Sequence, residues 1–552
     1  MSLFSHFKDI DDITISNFLS SIPINYSETI NKLSTSDNRL VNSQVLDNRS
    51  KLQIPIKNFH QMADTLTQSV VNSIKLLDDP KTMLFISTHQ PNLFAYGGVF
   101  KKILLNQTLK NELELKYGRD KKKIINLFVV IDHDFMDEIW IRRAQLPSIH
   151  NLHGILNLKH PINKSNRWFM VNNIPLPSHQ ILNYWKGQIY SWITNISKTR
   201  INGIDHSILL DNFKRFWEQV ELIYSNAKTY SDFNSFLISQ IVNKTWNYDT
   251  LFVRLSYLNS VFEDGYRYLI SNFDLYSESL KNAENLFKNI DQKKYKVQSN
   301  LHNYSPFWIH CNCCGGKASS ILQNKKDYEN LQQLSGTCIS CKRSLKIDIE
   351  NIKSNNKTIK SESSNISPKA IPILLLLSKC LDTSCYVSGT GAVNYMLYAS
   401  LVFKKLNIDM PTILFWPSKD ICHGIAQLEA LEYIGIKKHP EIVDYLESLK
   451  KKEFEYKERI ISLIAKRKNM VVARESIDNL LVELFALKQS QRKIRQNIKV
   501  GQKANNTLNI MPCIIDYAVN FGLVNTELQW RQNLLKNDRF DYPMTLKNSS
   551  TI

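Results

Sequence analysis

Two apolar runs with polar corners dominate the first part of the chain. Met83–Ser87 (MLFIS) is apolar, and Thr88-His89-Gln90 follows at once. A stretch from Val99 to about Lys116 has helical spacing and is broken by Gly118–Lys123 (GRDKKK). A second apolar run, Ile124–Phe135 (IINLFVVIDHDF), ends in Asp132-His133-Asp134. Strand, helix and strand in this order predict a βαβ unit with parallel neighbouring strands. Parallel strands end on one edge of the sheet, so His89 and Asp132–Asp134 are expected together. Ligands bind at that edge in open parallel sheets.

Residues 1–80 read as mainly helical, with an Asn- and Ser-rich loop near Ser34–Ser50. Asn151–Phe307 is aromatic-rich and largely helical, with Trp185, Trp192, Trp217 and Trp246 in amphipathic settings that suit a core. Ser354–Ser367 is polar and reads as a linker or surface loop. The sheet then resumes. Cys385–Leu397 (CYVSGTGAVNYML) contains a strand, a Gly-rich turn and a helix to about Leu406, and Thr412–Trp416 is another strand, ended by Pro417. Glu441–Val500 has neither Gly nor Pro. Leu446, Leu449, Ile460, Ile464, Ile477, Leu481, Leu484, Ile494 and Ile498 recur near helical spacing. Long helices are expected there, as an antiparallel hairpin or a coiled-coil arm able to join two chains. Lys488 and Gln491 interrupt the apolar seam.

The pattern divides the chain into helices and the first half of a parallel α/β core (1–150), a mainly helical insertion (151–307), a cysteine module (308–345), the second half of the core (366–435), a long-helix arm (436–505) and a C-terminal helical tail (506–552).

Composition refines the picture. At 552 residues, 43% hydrophobic and 22% charged, the chain can bury a large core. Its first residues mix Asp and Lys and lack an apolar signal core, and the longest aliphatic run, Ile373–Leu377, is too short to cross a bilayer. A cytoplasmic protein without a membrane partner is expected. The net charge of +19 suits anionic partners. The Lys triplets at 121–123 and 450–452 are scattered, however, and no Arg-rich or aromatic-interleaved arm occurs, so a nucleic-acid partner is not favoured.

The cysteines carry the most specific local signal. CNCCGG places Cys311 and Cys314 in C-x-x-C spacing, and CISC does the same for Cys338 and Cys341. Two such knuckles suit tetrahedral zinc, and four thiolates make a closed, structural site. Cys313 and His310 are substitute ligands in principle. The other cysteines, Cys380, Cys385, Cys422 and Cys513, read as core residues. Carboxylates beside His133 can tune an imidazole for acid–base work or cap the next helix. Ser388–Tyr395 (SGTGAVNY) opens a helix with a Gly-rich turn suited to phosphate or carboxylate. There is no Walker A sequence, G-x-S-x-G elbow or H-E-x-x-H.

In this order the pieces resemble the BshC family, enzymes assigned to cysteine addition in bacillithiol synthesis. THQPNLFAYGGVFKKI stands where that family has a polar loop after its first core strand. DHDFMDEI, Asp132–Ile139, is similar to its Asp-His-Asp-aromatic-acidic signature with one residue extra. Ser367–Tyr395 is similar to its Ser-Pro, hydrophobic and strand–Gly-x-Gly–helix segment, and the long-helix arm also fits. Gly389-Thr390-Gly391-Ala392 lacks the family's acidic residue, an expected Arg is absent near Ile371, and the cysteine module is an addition. THQPN is also similar to the WbqC-like family, which is shorter.

The resemblance implies a Rossmann-like core, similar to class I aminoacyl-tRNA synthetases, and a ligase forming a carbon–nitrogen bond. Cysteine would be joined to the amine of a glucosaminyl-malate acceptor, with ATP or a related nucleotide activating the carboxyl. His89, Asp132, His133 and Asp134 would be catalytic, His133 being oriented by Asp132 or Asp134. Thr88, Gln90, Asn92, Gly97, Gly98, Lys101, Gly389, Gly391, Asn394 and Tyr395 would bind the nucleotide, with Lys102 adding charge. A competing reading is a zinc-containing basic module that binds RNA or a protein without catalysis. A third is an enzyme with a changed acceptor.

Overall fold

The computed structural model describes residues 12–35, 40–118, 121–164, 166–197, 206–287, 301–324, 331–350, 365–416, 420–540 and 543–547. In chain order the strands are β1 (Met83–His89), β2 (Ile124–Val130), β3 (Arg143–Pro147), β4 (Ile155–Lys159) and β5 (Leu251–Arg254). They continue as β6 (Phe307–His310), β7 (Lys317–Ser319), β8 (Ile321–Asn324), β9 (Leu331–Thr337) and β10 (Ser344–Glu350). The last are β11 (Ile366–Pro368), β12 (Thr383–Gly389), β13 (Thr412–Trp416), β14 (Asp420–His423) and β15 (Met544–Lys547).

The central sheet has five parallel strands in the order β13-β12-β1-β2-β5. Helix Gly97–Tyr117 links β1 to β2, and helix Val393–Lys405 links β12 to β13. Strand order reverses between β1 and β12, and such a reversal opens a crevice at the strand C-termini. Alternate side chains feed two cores. Phe85, Phe128, Val130, Phe252, Val387 and Leu414 face one, while Leu84, Ile86, Leu127, Val129, Val253 and Ile413 face the other. A sheet covered on both faces reads as continuous apolar runs, which is why β1 and β2 stand out in the sequence.

Several expectations change. The 151–307 segment is mainly helical, but it also supplies β5, the edge strand beside β2, and β4 of an antiparallel hairpin with β3. The four residues of β5 are too short to separate from helical surroundings by periodicity. Trp185, Trp192 and Trp217 are buried in the first core, as expected. The second half of the Asn/Ser-rich stretch is helix, Ser43–Met62, because Asn42 caps it through Val45 N while Val45, Leu52, Ile56 and Phe59 bury one face; 36–39 lie outside the described residues. The proposed loop at Ser354–Ser367 falls outside the described residues up to 364, and Pro417 is also outside them. The 506–552 tail is part of the body. Its β15 pairs parallel with β14, and Ile514 N donates to Ala95 O at 2.9 Å.

Helices Glu441–Val472 and Asp478–Asn509 form an antiparallel hairpin, with Leu446 against Gly501 near its base and Arg459 paired to Glu483 farther out. The seam uses Leu463 and Leu480 rather than Ile464 and Leu481 as its buried residues. Gln491 sits in it by donating to Glu453, which also pairs with Arg495 at 2.9 Å. The base is pinned at Gly154, whose φ is +77°: a Cβ there would lie 2.2 Å from Lys503 O, and Thr507 Oγ1 donates to Gly154 O. Among the described residues no helix is long and apolar enough to cross a membrane.

Candidate functional site

A cavity of about 690 Å³ opens at the C-terminal ends of β1, β2 and β12, at the order reversal. Register places His89 opposite Val130, so the polar corners of β1 and β2 meet. Gln90 Nε2 donates to Asp134 Oδ2 at 2.8 Å across the gap. Thr88 Oγ1 and Tyr386 Oη share a 2.6 Å hydrogen bond, which ties β1 to β12. His89 Nε2 lies 2.9 Å from Tyr96 Oη and its Nδ1 lies 3.1 Å from Gln90 O. Asn92 lines the cavity and is buried beside His89.

The two imidazoles at the strand ends are uncharged at neutral pH. Burial, reinforced by Lys102, pushes His89 down to about 3. Burial, reinforced by Lys317, does the same to His133. Lys102 comes from helix Gly97–Tyr117, donates to Thr88 O at 3.2 Å and is pushed down to about 8 by burial. Tyr386, Ser388, Gly389, Gly391, Ala392 and Tyr395 form the β12 side. Burial raises the Tyr395 phenol well above its ordinary range.

Some expected site residues stand elsewhere. Lys101 is one helical position from Lys102 and points away, into a buried ion pair with Asp420 at 2.5 Å. Asp420 also accepts from Tyr517 Oη at 2.8 Å and Trp530 Nε1 at 3.1 Å, so this is a structural node. Gly97 and Gly98 do not line the cavity: a Cβ on Gly97 would lie 2.6 Å from Tyr517 Oη, so close helix packing accounts for that glycine. Asn394 is half-buried outside the lining. Asp132 accepts from Ser256 N at 3.0 Å and Ser256 Oγ at 2.6 Å, clamping β2 to the turn after β5. Neither flanking carboxylate orients His133, since Asp132 holds Ser256 and Asp134 accepts from Gln90. His133 Nδ1 is buried without a partner, and its ring meets His310 edge-on at 4.7 Å.

The sequence reading missed the contribution of the cysteine module. β6 lies between β11 and β7, and its Trp308 and the Lys317 of β7 form part of the cavity wall. Burial pushes the Lys317 ammonium down to about 8. Trp140 and Arg143, beyond the DHDFMDEI signature, and Cys513 from the C-terminal segment also line the space. No local spacing links these distant positions.

Cys311, Cys314, Cys338 and Cys341 come together with every Sγ within 4.8 Å of the others. The Cys311–Cys341 and Cys314–Cys338 sulfurs are each 3.6 Å apart. Thiolates at tetrahedral zinc are about 3.8 Å apart, from a Zn–S length of about 2.3 Å. The donor set therefore fits zinc. His310 is outside the cluster, its Nε2 lying 2.9 Å from Ser367 Oγ, and exposed Cys313 is outside it too.

No protein-family model matches the chain. A curated protein of Natranaerobius thermophilus, named "Putative cysteine ligase BshC", is 21% identical over 382 residues, 66% of this chain. The match spans 59% of that relative's length. The chain is thus distantly similar to a ligase-type protein across much of its length.

Proposed function

We propose that the protein is a ligase that joins the carboxyl of cysteine to the amine of a glucosaminyl-malate-like acceptor in low-molecular-weight thiol synthesis. The carrying observation is the cavity itself. It lies at the order reversal of a parallel sheet and brings together two neutral imidazoles, Lys102 and a Gly-rich turn. Counting only its own members, the sheet runs 3-2-1-4-5, the order of doubly wound nucleotide-binding folds. The distant likeness to a named cysteine ligase supports the same reading.

A carboxylate is a poor electrophile at neutral pH, and ATP or a related nucleotide would supply its activation. Lys102 and the backbone around Gly389 and Gly391 would hold the anionic portion. His133, kept neutral by burial, would bind and orient the attacking amine by accepting a hydrogen bond. Thr88, His89, Gln90 and Asp134 would fix the two strand ends and the polar groups between them. The four cysteines would hold a structural zinc ion with no open position. The exposed outer face of the hairpin would pair two chains. The non-catalytic reading, an RNA- or protein-binding zinc module in the cytoplasm, has less support, because Lys317 and Trp308 face the cavity.

Purified protein incubated with ATP, cysteine and glucosaminyl-malate, followed by mass spectrometry, tests the proposal. Acceptor-dependent thiol product with AMP or ADP is expected. Nucleotide turnover without that product would discard the acceptor. No turnover and no nucleotide binding would sink the ligase reading.

A further inference from the structure

The cysteine module reaches the cavity through Trp308 and Lys317, and Lys317 is its only charged contribution among the described lining residues. Lys317 begins β7, three residues after Cys314, and both knuckles fix its backbone. Cys311 N donates to Gly316 O at 2.8 Å, and Ile339 N, between Cys338 and Cys341, donates to Lys317 O at 3.3 Å. Gly315 O accepts from Met170 N at 3.0 Å and from Asn173 Nδ2 at 3.0 Å, which docks the knuckle on the core. From this anchored start the side chain turns inward. Its ammonium donates to the backbone carbonyl of His133 and lies 4.6 Å over Phe135 and 4.4 Å over Trp308.

Lys317 is 2% exposed and Lys102 is 7% exposed, yet both line the cavity. Neither ammonium is ion-paired to a described carboxylate, each having a single carbonyl acceptor instead. Asp134 acts on Lys317 only at longer range and already accepts from Gln90. Buried cations are normally paired, because desolvation without a counter-charge is costly. Two such lysines in the wall of one cavity leave that pairing to a ligand.

We propose that Lys317 is an anion-binding residue of the site, through which the four-cysteine module holds a carboxylate or phosphoryl group of the substrate in the cavity also lined by Lys102. A metal held by the cysteines would thereby position a binding residue rather than only a surface module. The aromatic faces of Phe135 and Trp308 keep the ammonium on one line of approach. The inference rests on the reading of the cavity as a substrate site, and it adds the ligand's charge and a residue that reads it.

Titration calorimetry on the full chain, with malate and inorganic pyrophosphate as separate probes, tests it. The wild type should bind at least one probe, and which one distinguishes a carboxylate from a phosphoryl group. Lys317→Met should weaken that binding by roughly tenfold or more, while Lys317→Arg keeps most of it. Zinc content should stay unchanged in both variants, separating lost charge from lost fold. Chelation should remove the same binding. Unchanged affinity in Lys317→Met, or no binding of either probe by the wild type, would overturn the inference. Lys317-dependent binding without amide synthesis would remove only the ligase reading; amide synthesis with unchanged affinity in Lys317→Met would remove only this one.

Discussion

Gln90 Nε2 donates to Asp134 Oδ2 at 2.8 Å, joining the corner after β1 to the corner after β2. Asp134 is held by that bond rather than by His133, which lines the cavity with its Nδ1 buried and without a partner. The catalytic assignment therefore places more weight on the imidazole than on its carboxylate neighbours.

Replacing His133 by Ala should lower amide-forming turnover by about 10²-fold, the scale of misplacing a reacting group. His89→Ala should also lower it, through loss of the Tyr96 contact and the shape of the β1 corner. Rates of product formation by mass spectrometry check this. Full turnover in both variants would refute the site assignment.

The same two imidazoles predict acid sensitivity. Both have folded pKa values near 3, well below the unfolded value of about 6.5. The unfolded chain binds more protons between those limits, so their contribution is intact above pH 6.5 and is lost as pH falls toward 3. Melting temperatures from pH 7 to pH 4 should fall less steeply for His133→Gln than for the wild type.

Purified protein should carry one zinc ion per chain, measurable by emission spectroscopy. Cys338→Ser or a strong chelator should release it and lower the melting temperature, because binding free energy at a four-thiolate site is also folding free energy. Metal-free protein with unchanged melting would contradict a structural zinc site.

Lys101→Met should cost about 3–5 kcal/mol in denaturant unfolding, since it strands the buried Asp420 carboxylate. Adding Asp420→Asn should recover part of that loss. The substrate KM of folded Lys101→Met protein should match the wild type, in contrast to Lys102→Met.

The two helices of the hairpin expose Phe454 at 60% and Phe485 at 65%. If the hairpin joins two chains, the Phe454→Glu, Phe485→Glu double variant should turn a dimer into a monomer in light scattering. A wild-type monomer at micromolar concentration would dismiss the pairing.

Much of the scaffold was legible along the chain because its signals are local. The apolar runs of β1 and β2, the Gly-rich turn after β12, the two knuckle spacings and the Gly- and Pro-free stretch Glu441–Val500 all express short-range geometry. The inference that His89 and Asp132–Asp134 share an edge followed from parallel pairing, and the register of His89 with Val130 agrees with it. β5 was not legible, because a four-residue strand with three apolar positions amid helices has no distinguishing period.

The sequence by itself determined the parallel core, the gathering of polar strand ends and a cysteine set suited to tetrahedral metal, because strand pairing and knuckle spacing are properties of adjacent residues. Tertiary structure alone decided which way each side chain turned. Lys101 and Lys102 are adjacent on one helix, and the rotation of about 100° per residue sends one into Asp420 and the other to the cavity. It also decided that Lys317, 228 positions along from His89 (317 − 89), belongs to the same site. Docking of distant segments sets such placements, and no local periodicity encodes them.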